Sequence, residues 1–224
     1  MSAPDFLTIR EASFAYAPTD EVLRGLSADF DRGEINYLVG ASGSGKTTLA
    51  LVLANQLELS AGLVAMELQH AALVLQFPEQ MFLEDTVAEE LATFDEGAAR
   101  ARAKDAVARL GLRLEDVAAA SPESLSFGQR RLLAIALQSA GSAMTLVLDE
   151  PTLGLDELNL KRVAEFVAGE HERGRICVVI THDIELIASL PGRVIVLRQG
   201  KAAWQGDTRE FLSRPDLMRL ADML

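Results

Sequence analysis

The chain has 224 residues, 49% of them hydrophobic, and a formal net charge of −12. That suits one domain, or one domain with an insert, able to bury a full core. The acidity argues against a general nucleic-acid surface, which needs a basic stripe to meet phosphates. The first residues, MSAPDFLTIREASF, lack the basic start and apolar run of a secretory signal. The longest apolar stretch, 62–77, is interrupted by Glu67, Gln69 and His70 and is too short to span a bilayer. The single cysteine, Cys177, has no partner within the chain, which fits a reducing cytosol and a small core residue.

In chain order, Phe6, Thr8, Phe14 and Tyr16 alternate with polar neighbours, predicting a strand before a turn at 17–20. Residues 34–39 predict a buried strand running into a glycine-rich loop, with a helix over 46–57. A strand over 72–75 follows. Thr86 and Glu89 form a capping-box pair, with Val87, Leu91 and Phe94 on one helical face. A second helix over 98–110 ends at Gly111. After a turn at Ser121 and Pro122, LSFGQ opens a further helix, so 84–141 predicts a helical insert. The runs 145–148 and 176–180 are unbroken and apolar, as parallel strands covered on both faces require. A third strand is expected over 194–197 and a terminal helix over 207–223.

Three stretches carry chemistry. GASGSGKTT at 40–48 fits the phosphate-binding pattern G-x-x-x-x-G-K-[ST]. Gly40, Gly43 and Gly45, with Ala41, Ser42 and Ser44 between them, let backbone N–H groups point inward. Lys46 supplies a point charge for the outer phosphates and Thr47 a hydroxyl for Mg²⁺, with Thr48 completing the loop. Thr48 stands where a dinucleotide fingerprint needs glycine. TLVLDE at 145–150 ends a strand in two acids. There Asp149 is placed to hold Mg²⁺, and Glu150 lies one step further out, where water could attack a γ-phosphate. LSFGQ begins a helix whose free N–H groups, with Arg130 and Arg131 behind them, suit an anion.

The order of these motifs, LSFGQ before LDEPTLGLD with a P-loop upstream and a histidine after the next strand, resembles the ATP-binding-cassette (ABC) ATPases over nearly the whole chain. The resemblance implies an α/β P-loop (RecA-like) fold, with a mostly parallel sheet, an N-terminal antiparallel subdomain and an inserted helical subdomain. It implies one nucleotide-binding domain over 1–224, with its core at 1–83 and 142–224 and the helical part at 84–141. Tyr16 then matches the aromatic that stacks on adenine, and 40–48 the Walker A loop. Gln76 matches the glutamine that touches Mg²⁺, and Ser126, Gly128 and Gln129 belong to the signature. Asp149 and Glu150 match the Walker B acids, Asp156 the D-loop and His182 the switch histidine. Phe127 replaces a common glycine at a tolerant position. His70 and His171 match nothing. ATP and Mg²⁺ are the implied cofactors. In this family two cassettes pack head to tail, so the anion at Ser126 would be the γ-phosphate held by a neighbour.

QFPEQMFLEDTVAEEL at 76–91 further resembles ATPases of energy-coupling-factor (ECF) transporters, although Gln80 follows Glu79 one residue early. Short cassettes of this kind resemble the biotin-type ATPase, with cobalt and nickel types left open. Phe77, Met81 and Phe82 are either ordinary packing or a groove for a transmembrane helix. The implied partners are a second ATPase subunit (a homodimer favoured, a heterodimer possible), a transmembrane coupling protein and a substrate-binding membrane protein. The expected place is the cytoplasmic face of the membrane, held peripherally. A conventional ABC transporter and a non-transport ABC ATPase are the alternatives.

Overall fold

The computed structural model describes residues 6–66 and 71–224. The start of the chain, the side chain of Phe6, and Glu67, Gln69 and His70 lie outside the described residues. Strands β1 (Phe6–Ala15) and β2 (Glu21–Asp31) form an antiparallel pair. Then β3 (Ile35–Val39) enters the glycine loop, and α1 (Lys46–Leu53) follows. The next strand, β4 (Ala61–Ala65), pairs with the far edge of β1, and β5 (Ala72–Val74) begins the main sheet's outer edge. Four helices come next: α2 (Val87–Ala92), α3 (Ala98–Arg109), α4 (Leu114–Val117) and α5 (Phe127–Ser139). Then β6 (Thr145–Asp149), α6 (Glu157–Glu172), β7 (Ile176–Ile180), α7 (Ile184–Ser189) and β8 (Gly192–Arg198) restore the alternation. The chain finishes with β9 (Lys201–Asp207), α8 (Thr208–Ser213) and α9 (Pro215–Leu220).

The main sheet has the order β5-β6-β7-β3-β8-β9, parallel except for β9. Its inner strands are mostly apolar because both faces are covered, and their apolar residues alternate between two cores. Tyr37, Leu146, Leu148, Cys177, Val179, Val194 and Val196 face the helices α3, α5 and α6. Leu38, Val147, Val178, Ile180, Ile195 and Leu197 face α1 and the inner side of the β1–β2 sheet. The strand ends therefore converge beside the loop that precedes α1. No helix of the described residues is long and apolar enough to cross a membrane.

Several boundaries differ from expectation. Helix α1 stops at Leu53, because Asn55 takes a left-handed φ of 58°. The expected terminal helix is two, because the ring of Pro215 pushes Arg214 to φ −117°, ψ 97° and breaks the run. Strands β4 and β9 were not expected. Both are edges, and β4 is exposed at four of five positions, so it shows no apolar alternation.

Candidate functional site

Residues 40–45 leave the end of buried β3 and turn into α1. Gly40 lies so close to β8 that a Cβ there would stand 2.2 Å from the Leu197 carbonyl oxygen. Gly45 caps α1 at φ 105°, a conformation that favours glycine, and offers no side chain to the helix N–H groups. Lys46 bends back over its own loop, and its Nζ donates to the carbonyls of Gly40 (2.6 Å) and Ala41 (3.1 Å). Burial lowers its pKa, while the charges of Glu150, Asp149 and Asp222 oppose that shift.

At the end of β6, the Thr47 hydroxyl donates to Asp149 Oδ2 at 2.8 Å. Burial pushes the Asp149 carboxyl up, with the Thr47 bond and Lys46 pulling against it and Glu150 adding to it. Glu150 follows at a left-handed φ of 50°, and its N–H donates to the Ile180 carbonyl at 2.8 Å. His182, just past β7, places Nδ1 2.8 Å from Glu150 Oε1. The histidine is largely exposed, whereas the Glu150 side chain is nearly buried. Tyr16, half-exposed just past β1, meets Phe14 edge-on and brings its hydroxyl 3.3 Å from Thr48 Oγ1.

One cavity of about 680 Å³ gathers Tyr16, Gly40, Ala41, Ser42, Gly43, Gly45, Lys46, Thr47, Thr48, Gln76, Asp149, Glu150 and His182. Ser44 is not on its wall; it is turned inward and buried, and its carbonyl accepts from Gly200 N. The cavity also takes in Asp20, Val22, Ala221 and Asp222, none of which belongs to a motif legible in the sequence.

The remaining candidates stand elsewhere. Ser126 caps α5 in a reciprocal box. Its Oγ accepts from Gln129 N, and Gln129 Oε1 accepts from Ser126 N, so both side chains serve the helix end. A Cβ on Gly128 would come 2.5 Å from Asn159 Nδ2, and one on Gly154 3.1 Å from the Phe127 ring. Asp156 caps α6 by accepting from Asn159 N at 2.8 Å. The turn at Ser126 and the turn at Asp156 are thus packed together, and none of Ser126, Gly128, Gln129 or Asp156 lines the P-loop cavity. The expectation for Arg131 needs correction. The helical period turns it into the core, fully buried, rather than behind the helix N-terminus.

A family model described as ABC transporter matches residues 23–153. A putative ABC transporter ATP-binding protein of Pyrococcus horikoshii is 32% identical, covering 96% of this chain and 92% of its own. The energy-coupling factor transporter ATP-binding protein EcfA2 of Lactiplantibacillus plantarum is also 32% identical, covering 93% of this chain and 80% of its own. Among solved structures, a bacterial Atm1-family ABC exporter with ATP bound covers 100% of this chain and 42% of its own, at TM-score 0.82 and 26% identity. The structure of cbiO1 from Clostridium perfringens, described as part of the ABC transporter complex cbiONQ, covers 95% and 92% at TM-score 0.79. At 24% identity it speaks to the fold alone.

Proposed function

Because this chain belongs to the ABC transporter family, as its ATP-hydrolysing cassette, we propose that it is the ATPase subunit of an ECF-type importer for a vitamin such as biotin, or for a transition metal. The observation that carries the shared-site mechanism is a split. One cavity holds the P-loop residues other than Ser44, both Walker B acids and the switch histidine, while Ser126 and Gly128 stand outside it. On this reading the signature groups that complete each site come from a second cassette, packed head to tail.

In this mechanism Tyr16 stacks on adenine, and the N–H groups of 40–48 hold the phosphates at the start of α1. Lys46 exchanges its two loop carbonyls for the outer phosphates. Thr47, Asp149 and Gln76 offer hard oxygen donors on one wall, which fits Mg²⁺ held by one carboxylate plus phosphates. Bound there, the ion would neutralise charge on the phosphates. Glu150 accepts the proton of the attacking water, and His182, hydrogen-bonded to that carboxylate, fixes its direction and reaches the γ-phosphate. Ser126 and Gly128 of the neighbour close the far side, and Asp156 lies at that junction.

Residues 1–224 act as one nucleotide-binding domain, with a helical subdomain over 84–141. Every ATP-site motif is in this chain, which favours a homodimer. The ECF assignment is supported by the 76–91 stretch and by the EcfA2 relatives. Phe77 and Met81 are about half exposed beside Pro78, and they supply a face for a helix of the transmembrane coupling protein. That would hold the chain peripherally at the cytoplasmic side of the membrane. Purifying the tagged chain from gently solubilised membranes tests this. A coupling protein and a small substrate-binding membrane protein should come with it. Recovery with a conventional pair of transmembrane domains would point to another ABC transporter.

A further inference from the structure

The proposed reaction gives no role to Arg131, yet this side chain occupies an expensive position. It has no solvent exposure, and burying a guanidinium is strongly unfavourable unless its donors are met. They are met by two segments. Nη2 donates to the carbonyls of Gln76 (2.9 Å) and Glu150 (2.6 Å), Nε to that of Pro151 (3.3 Å), and Nη1 to Glu79 Oε2 (3.2 Å). Burial draws the arginine pKa down, and the charges of Glu79 and Glu150 draw it back up. One guanidinium thus ties the 76–79 loop to the 150–151 turn across the first turns of α5.

Glu150 needs such a fixture. A left-handed φ at a residue other than glycine persists only where its surroundings hold it. Its N–H is held by Ile180, and its carbonyl by Arg131 at the shorter of its two contacts, the other being Leu153 N at 3.2 Å. We propose that Arg131 is a positioning residue for ATP hydrolysis. By binding the Glu150 carbonyl, the Gln76 carbonyl and the Glu79 carboxylate together, it sets the direction of the Glu150 carboxylate and makes it follow the 76–81 loop. Arg131 does not line the cavity, so it acts through Glu150. The proposal rests on Glu150 being the base.

The test compares Arg131→Met, Arg131→Lys, Glu79→Gln and the Glu79→Gln/Arg131→Met pair, with Glu150→Gln as reference. ATP affinity, KM, kcat and folded fraction are measured at saturating protein. Arg131→Met should keep ATP affinity and KM while kcat per folded chain falls by up to about 10²-fold, the scale of a catalytic group displaced by an ångström. Arg131→Lys keeps the charge without the planar fork and should recover part of that loss. Glu79→Gln should cost less, and adding it to Arg131→Met should cost nothing more, because the two act as one unit.

An unchanged kcat in folded Arg131→Met, or losses that multiply in the double variant, would overturn the proposal. If Arg131→Met does not fold, normal kcat in both Arg131→Lys and Glu79→Gln overturns it instead. Near-normal hydrolysis by Glu150→Gln would bring down the base assignment and this proposal together. An inactive Glu150→Gln beside a fully active Arg131→Met would bring down this proposal alone.

Discussion

Glu150 and Asp149 are neighbours in sequence, but they occupy different surroundings and should answer differently to the loss of a charge. Glu150→Gln preserves shape and the contact with His182 while removing the proton acceptor. Turnover should fall at least about 10²-fold with ATP binding retained, measured by phosphate release and nucleotide titration. Near-normal release would take Glu150 out of the reaction. Asp149 is buried, and its carboxyl is pushed above 3.8 chiefly by that burial. For such an acid the ionised form is the costly one, so the folded apoprotein loses stability as pH rises from 3.8 through the raised value. Neutral pH lies on the costly side, and Asp149→Asn should therefore melt higher than the parent without nucleotide, by an amount that shrinks as the pH is lowered. A lower melting temperature for Asp149→Asn at neutral pH would contradict this. Cys177 is wholly buried, with Sγ near the Val167 carbonyl, and burial pushes its thiol up to about 12. Native protein should resist iodoacetamide at neutral pH and react once denatured. Rapid labelling of the native protein would deny the thiol its core position.

Helix ends connect local sequence to the site. The Thr86 side chain caps α2 by accepting from Glu89 N at 3.2 Å, while its hydroxyl donates to the Glu89 carboxylate at 2.8 Å. Thr86→Ala should cost about 1 kcal/mol in denaturant titration, and no loss would mean that water replaces the cap freely. Such caps were legible because their chemistry is local. So were β6 and β7, whose apolar runs follow from cover on both faces, the buried strand β3, and the P-loop, whose glycines answer to backbone geometry. The edges β4 and β9 were not legible, since half-exposed strands leave no strong alternation. Asp20 and Asp222 were not legible either, because tertiary folding alone brings them to the cavity wall. In the sequence alone, the Arg-Arg pair opening α5 reads as positive charge behind a helix end that suits an anion. Only the partners at Gln76, Glu79, Glu150 and Pro151 explain why Arg131 is inside.

Within one chain the signature turn and the P-loop cavity are separate, so the whole-molecule expectation is a reaction shared between two copies. A Lys46→Ala chain and a Ser126→Arg chain should each be nearly inactive. Mixed, they form pairs in which one site joins the intact P-loop of one chain to the intact signature of the other, and hydrolysis should return. An inert mixture would mean that the two defects fall within the same chain's site. Hydrolysis per chain as a function of protein concentration, with the monomer fraction followed by sedimentation, reaches the central claim most directly. A composite site predicts a rate per chain that vanishes on dilution and climbs to a plateau as dimers form. A constant rate down to concentrations where every chain is monomeric would contradict it.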